Sequence, residues 1–394
     1  MKVEMPGSSR SLLLAGVVSV ALLVGCRPGG DSQSVESGNS SNVLVTDVRH
    51  SSVKRQSIGN CWLYAKASWA ESLHLSATGE EVNISESYWT WWHWHDQLVN
   101  SWTDSINTGG WWFTSVDIVV RHGLVFEGEF IPGEADAQMS ATQSRAEAIV
   151  NAALGAGGEL ERHESRTPEN VRRVLDAAFG VNMAAVEAIA RKAEDFVVGN
   201  AADGTTISLR DAVAGGADRR WRVAYFPKVW GKDTPLQRGV KKARKELLQR
   251  VLKAMNDRHP VVMSLMIDFS ALDIEDQTFK ASTLAAAGGP GRQGGHMVVL
   301  EDYVVTHVPG YGTLGEGDLP DEQKQAALLG RIKYFKTKNS WGTDRPDRGL
   351  TDGYTRFDWK YMTSQLAWKN SEDSEPDDVS WYTTLSDFVL PPGY

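Results

Sequence analysis

Hydrophobic positions change their rhythm along this chain, and the change divides it. From Cys61 to about Thr78, Leu63, Ala67, Ala70 and Leu73 recur at helical spacing, and Gly79 supplies a stop. Residues 110–122 form a second expected helix. Between 134 and 253 helix-like stretches rich in Ala, Arg and Glu dominate. One is fully signed, with Thr167 as N-cap, Pro168 in the first turn, Glu169 behind it and Gly180 at the end. Another, 238–250, is crowded with Arg238, Lys241, Lys242, Arg244, Lys245 and Arg250. It carries Leu247, Leu248, Val251 and Leu252 along one side, so its charge reads as a solvated helix face. Strand-like runs come later. Pro260–Ile267, Met297–Val305 and Arg331–Lys336 are short, β-branched or aromatic, and bounded by Gly or Asp. Helices first and strands afterwards predict an α+β fold rather than alternating βαβ units. The expected organisation is a leader over 1–25, a Gly/Ser/Asp/Asn-rich flexible tether over 26–45, and one folded domain over 46–394. That domain is expected to carry a helical insertion at about 134–253, an acidic loop at 371–378 and a C-terminal tail from about 361.

Composition narrows the functional classes. The 394 residues are 41% hydrophobic and 23% charged, as in ordinary globular proteins, with a formal net charge of −9. That balance opposes a nucleic-acid surface, which needs a concentrated positive field. Tryptophan is abundant, with 15 residues, several of them within Trp89-Thr90-Trp91-Trp92-His93-Trp94-His95-Asp96. His93, His95 and Asp96 have metal-ligating chemistry, but no partner set elsewhere completes a site, so no metal or cofactor is expected. Packing of the tryptophans against the insertion is the expected reading, with a substrate-facing aromatic surface as the alternative.

The N-terminus has a charged start at Lys2 and Arg10, then an apolar run from Ser11 to Val24 that suits a signal-peptide core better than a bilayer span. It ends in Leu23-Val24-Gly25-Cys26, which resembles the lipobox of bacterial lipoproteins. The resemblance implies lipidation of Cys26, a membrane anchor held by more than one acyl chain, and a place in the bacterial cell envelope. With Arg27 rather than Asp after the Cys, it implies the outer membrane in a two-membraned host. The chain has 2 cysteines in all, so a lipidated Cys26 leaves Cys61 without a disulfide partner. A lone thiol in an exported protein is expected to do chemistry or to be deeply buried.

The surroundings of Cys61 favour chemistry. Gln56-Ser57-Ile58-Gly59-Asn60-Cys61-Trp62 is a Gly-containing loop that delivers a thiol to a helix start, where unpaired N–H groups and the helix dipole favour thiolate. A histidine on another element would complete an imidazolium–thiolate pair. His296, in Gly294-Gly295-His296-Met297, opens an apolar strand, and Asn339, in Lys338-Asn339-Ser340-Trp341-Gly342, follows another. A side-chain amide can hold an imidazole in one tautomer, which makes Cys-His-Asn a form of the Ser-His-Asp arrangement.

These segments resemble the papain-like cysteine peptidases. Gln56 through Tyr64 looks like the nucleophile motif, with Glu71 at the family's spacing behind it. Asn83-Ile84-Ser85-Glu86-Ser87-Tyr88, Gly109-Gly110-Trp111-Trp112, Pro260-Val261-Val262, the His296 segment, the Asn339 segment and Gly353-Tyr354-Thr355-Arg356 follow in the family's order. The resemblance implies a two-lobed fold, with a helical lobe carrying the Cys and a barrel-like lobe carrying His and Asn. It implies catalysis by Cys61, His296 and Asn339, a peptide or protein substrate, and an oxyanion hole formed by Gln56 and the Cys61 backbone N–H. Gly109 and Gly110 would hold substrate main chain, and Trp341 would shield the His296–Asn339 contact from water. Several departures stand beside it. Gln56 is one residue closer to the Cys than expected, the family's disulfide cysteines are missing, and the tether leaves no room for a pro-segment. The helical insertion resembles the bleomycin hydrolase and aminopeptidase C branch. A papain-fold binding protein with impaired catalysis and a cell-wall peptide amidohydrolase are the other readings.

Overall fold

The computed structural model describes residues 50–100, 102–345, 351–370 and 378–394. Cys26, the leader and the tether lie outside the described residues, as does most of the acidic 371–378 segment. The first periodic run forms one helix, Cys61–Thr78, closed by Gly79 at φ 79°, whose N–H donates to the Leu75 carbonyl. Every residue from Cys61 to His74 is buried, so this helix runs through the interior of its lobe. Around it pack Glu86–Asn100 and Trp112–His122, the second of which begins slightly later than its sequence suggests. Trp89, Trp91 and Trp94 are fully buried, and the Trp94 ring lies 5.4 Å from Phe179 at the end of helix Pro168–Phe179. The tryptophan-rich segment therefore packs against the 134–253 region.

A second lobe is built on a nine-stranded, mostly antiparallel sheet. Its long strand Gln293–Val308 lies between Val262–Asp268 and Arg331–Lys338, with Leu265 opposite His296 and Val299 opposite Lys338. Helix Arg238–Asn256 buries Leu247, Leu248, Val251 and Leu252 against this lobe. Its charge run is not wholly solvated, because Arg244 is buried, donating to the Pro227 carbonyl at 2.8 Å and to Thr383 Oγ1 at 3.0 Å. The architecture is α+β, as expected, with one hydrophobic core in the helical lobe and another in the sheet.

Two boundaries need correction. The 134–253 region is not purely helical: it contains the hairpin Val197–Asn200/Thr206–Ser208 and the strand Arg222–Tyr225, which joins the main sheet. Nor do the residues after 361 form a tail. Gln365–Lys369 pairs with Val379–Thr383, and Leu385–Leu390 inserts between Arg222–Tyr225 and Val262–Asp268. Leu385, Phe388 and Val389 are fully buried there, so this last strand is part of the core.

Candidate active site

The loop before the first helix is held by chain from the far end of the sequence. Gln56 N–H donates to the Ser340 carbonyl at 2.9 Å, and Gly342 N–H donates to the Lys54 carbonyl at 3.1 Å. Cys61 is thereby placed at the first turn of its helix, facing the start of strand Gln293–Val308, with its thiol donating to the Gly295 carbonyl at 3.9 Å. Cys61, His296, Gly109 and Gly110 line one cleft of about 870 Å³ between the lobes' facing elements. At Gly110 a Cβ would come within 2.4 Å of the Trp62 ring, whose indole N–H is fixed on the Thr108 carbonyl at 3.0 Å. Only glycine lets the backbone at 110 lie so close to the Trp62 ring.

His296 is oriented from behind. Its Nε2 donates to Asn339 Oδ1 at 2.9 Å, and the Asn339 amide is itself fixed, with Nδ2 donating to Thr355 Oγ1 at 2.9 Å and Oδ1 accepting from Ser340 N–H at 2.8 Å. The Trp341 ring stacks on the imidazole at 4.9 Å and 22°. With Nε2 committed to the amide, Nδ1 is the nitrogen left for the cleft. Charge is discouraged on both reactive groups. Burial pushes the Cys61 thiol up to about 11, against the pull of the Met297, Trp62 and Cys61 backbone N–H groups. It also lowers His296 to about 4, although the Asn339 hydrogen bond opposes that shift. The helix-start argument alone favours a thiolate; in the fold, desolvation outweighs it, and the resting pair is neutral at pH 7.

No family model matches the sequence, and no curated protein does. Solved structures of similar fold include PepW from Lactobacillus rhamnosis, at 13% identity over 88% of this chain and 81% of that one, with a TM-score of 0.47. Xylellain, a cysteine protease from Xylella fastidiosa, aligns at 12% identity over 87% and 83% of the two chains, with a TM-score of 0.36. A cysteine protease of Carica candamarcensis aligns at 15% over 86% and 92%, with a TM-score of 0.33. Likeness at this level identifies no activity for this chain.

The remaining expected residues fall into different places. Gln56 does not line the cleft: its Nε2 donates to the Ile58 carbonyl at 2.7 Å, and its Oε1 accepts from Ser340 Oγ at 2.6 Å. Each end of the Gln56 amide thus holds one partner within the loop, and Nε2 keeps a second hydrogen to donate. Trp341 also lies outside the cleft lining and acts on His296 from behind rather than on a substrate. His93 stands apart from His95 and Asp96, which contact each other at 3.5 Å. His93 Nε2 contacts the Gly109 carbonyl at 3.2 Å, His95 stacks on Trp91, and Asp96 pairs with Arg121. Among the described residues no group of three or more His, Cys, Asp or Glu is arranged to hold a metal ion.

Sequence reasoning missed a buried charge network behind the Cys61–Thr78 helix. Lys54 Nζ bridges Glu71 at 2.8 Å and Glu86 at 2.7 Å and donates to the Ile84 carbonyl at 3.0 Å. Glu71 and Glu86 belonged to recognised segments, but nothing in the local pattern marked Lys54 as their counter-ion. It missed Thr355 as the residue that orients Asn339, and Lys228, Trp230 and Tyr382 as cleft lining. The last three come from stretches read as insertion and tail, and no sequence signal pointed to them.

Proposed function

We propose that this chain is a cysteine peptidase that uses Cys61 as nucleophile, His296 as base and Asn339 as the group that orients the imidazole. The observation that carries the reading is the His296 Nε2–Asn339 Oδ1 hydrogen bond at 2.9 Å, which leaves Nδ1 for the cleft that Cys61 also lines. From a neutral pair, Nδ1 takes the thiol proton as Sγ bonds to the peptide carbonyl carbon. The imidazolium then gives that proton to the departing amine as the C–N bond breaks, leaving a thioester for water to hydrolyse. Backbone N–H groups at the helix start, that of Cys61 first, are the donors for the developing oxyanion. Lipidation of Cys26 and placement in a bacterial cell envelope belong to the same proposal, carried by the lipobox-like Leu23–Cys26 segment.

The place of Gln56 outside the cleft lining favours a second reading, a papain-fold binding protein that retains the cleft without turnover. The two separate on one experiment. The purified chain is treated with iodoacetamide or a thiol-directed epoxide, modification is mapped by mass spectrometry, and cleavage of a broad peptide panel is followed beside Cys61→Ala. Labelling at Cys61 together with cleavage lost in Cys61→Ala supports the peptidase. An inert Cys61 and no cleavage by the folded protein leave the binding reading.

A further inference from the structure

The cleft that holds Cys61 and His296 carries a single fixed charge. Its described lining is otherwise aromatic, apolar or neutral, and only Lys228 is a lysine, arginine, aspartate or glutamate. Lys228 is half-buried, and no carboxylate among the described residues lies within ion-pair distance of it. The acid whose field it feels is Asp387, which is itself buried and which burial pushes towards the neutral form. The Tyr382 ring centre is 5.5 Å from the ammonium, and Trp230 packs on Tyr382 at 5.0 Å.

The backbone around Lys228 is tied down on both sides. Arg244 Nε donates to the Pro227 carbonyl at 2.8 Å. Val229 N–H donates to Thr383 Oγ1 at 3.3 Å, Thr383 N–H returns to the Val229 carbonyl at 3.3 Å, and Gly231 N–H donates to the Trp381 carbonyl at 2.7 Å. The cation thus stands on a braced wall formed by the chain's own 226–231 segment and the Val379–Thr383 strand.

We propose that Lys228 anchors a substrate carboxylate, so that the cleft selects peptides presenting an acidic side chain or a free C-terminal carboxylate at that wall. The proposal rests on the peptidase reading and names its substrate class. An unpaired, partly desolvated ammonium gains more from a carboxylate than an exposed lysine does, because partial burial weakens the screening of the pair. In a chain of formal charge −9, a lone cation in a neutral cleft also imposes discrimination against cationic peptides.

The test uses one quenched-fluorescent peptide scaffold, made with Ala, Gln, Glu or Lys at each position flanking the scissile bond. Every peptide is made with both a free and an amidated C-terminus. A side-chain anchor gives Glu over Gln whatever the terminus; a terminal anchor gives free acid over amide whatever the side chain. The expected preference in kcat/KM is about tenfold to a hundredfold, the range of a charge-assisted hydrogen bond. Lys228→Met is expected to level it, Lys228→Arg to keep it, and Lys228→Glu to turn it towards Lys-bearing peptides. Equal cleavage of Glu and Gln peptides together with equal cleavage of free-acid and amidated peptides by the unaltered protein, or a preference that survives Lys228→Met, overturns the anchor. The same peptides, fluorescently labelled, are titrated by anisotropy against Cys61→Ala and Cys61→Ala/Lys228→Met. If nothing is cleaved, the peptidase reading falls, and this arm still decides the anchor: carboxylate-dependent binding lost with Lys228→Met upholds it, and indifferent binding sinks it.

Discussion

At the scale of the residue, the reactive pair is governed by burial. Cys61 and His296 are each almost fully buried, and in both the charged form is the one disfavoured, raising the thiol to about 11 and lowering the imidazole to about 4. Between those values the resting pair is neutral, so the thiolate fraction grows as pH climbs towards 11. The rate of Cys61 alkylation by iodoacetamide is therefore expected to rise with pH through 7 to 10. A plateau already established between pH 4 and 7 would show an ion pair at rest and refute this account. Asn339→Ala leaves His296 Nε2 without its acceptor and is expected to lower kcat about 10²- to 10⁴-fold, the usual worth of a positioned general base. The sequence singled out Cys61, His296 and Asn339 because each carries local chemistry at an element boundary, and the fold sets Cys61 and His296 on one cleft with Asn339 bonded to His296. It could not show what holds the Gln56 side chain, because its partner Ser340 is 284 positions away. Hydrogen bonds of that span leave no local trace.

At the scale of the element, the Cys61–Thr78 helix is positioned by charge as well as by packing. Lys54 precedes it, Glu71 lies on it, and Glu86 opens the next helix, so one ammonium ties three pieces of chain in a site with side-chain exposures of 9% or less. Two carboxylates share that cation. The field of Lys54 holds Glu71 below the usual carboxylate range despite its burial, whereas burial and the Glu71 charge push Glu86 up to about 7. Removing a partner from a buried pair typically costs about 3–5 kcal/mol, because the remaining charge has no solvent to turn to. Lys54→Met is expected to lose stability of that order in urea unfolding, with Glu71→Gln in the same background recovering part of it. A loss below about 1 kcal/mol would show that the network contributes nothing beyond a surface bridge. Element legibility followed periodicity. Pro168–Phe179 has its cap and stop in the sequence, and Thr167 Oγ1 accepts from Asn170 N–H as a cap should. Glu86–Asn100 has no such contrast, since tryptophans occupy several of its sides and nine of its residues are buried.

At the scale of the whole molecule, acids buried in both lobes set how stability depends on pH. Burial raises Glu86 to about 7 and Glu127 to about 8 beside the helices, and Glu301 and Asp302 to about 8 in the sheet. Each of these groups binds its proton more tightly folded than unfolded, so each stabilises the fold below its raised value and loses that contribution as pH climbs through it. Buried histidines act in the other direction. His50 at about 3, His122 at about 4 and His296 at about 4 are neutral in the fold but take up protons in the unfolded chain below about 6.5, which withdraws stability on acidification. From pH 8 down to 6.5 only the carboxyl groups titrate among these, so the melting temperature is expected to rise across that interval. Below about 4.5 the unfolded carboxyls are protonated too, the histidines and the low-lying Glu71 both withdraw stability, and the melting temperature is expected to fall. Thermal unfolding followed by circular dichroism at pH 8, 6.5 and 4 checks both limbs; a melting temperature that climbs from pH 6.5 to 8 would contradict the buried-acid account. Such a pattern could not be read from the sequence, where Glu301 and Asp302 are polar interruptions of the apolar run Met297–Val305 and carry no sign of their burial. The strand continues to Val308, and pairing with Arg331–Lys338 carries both carboxyl groups into the sheet.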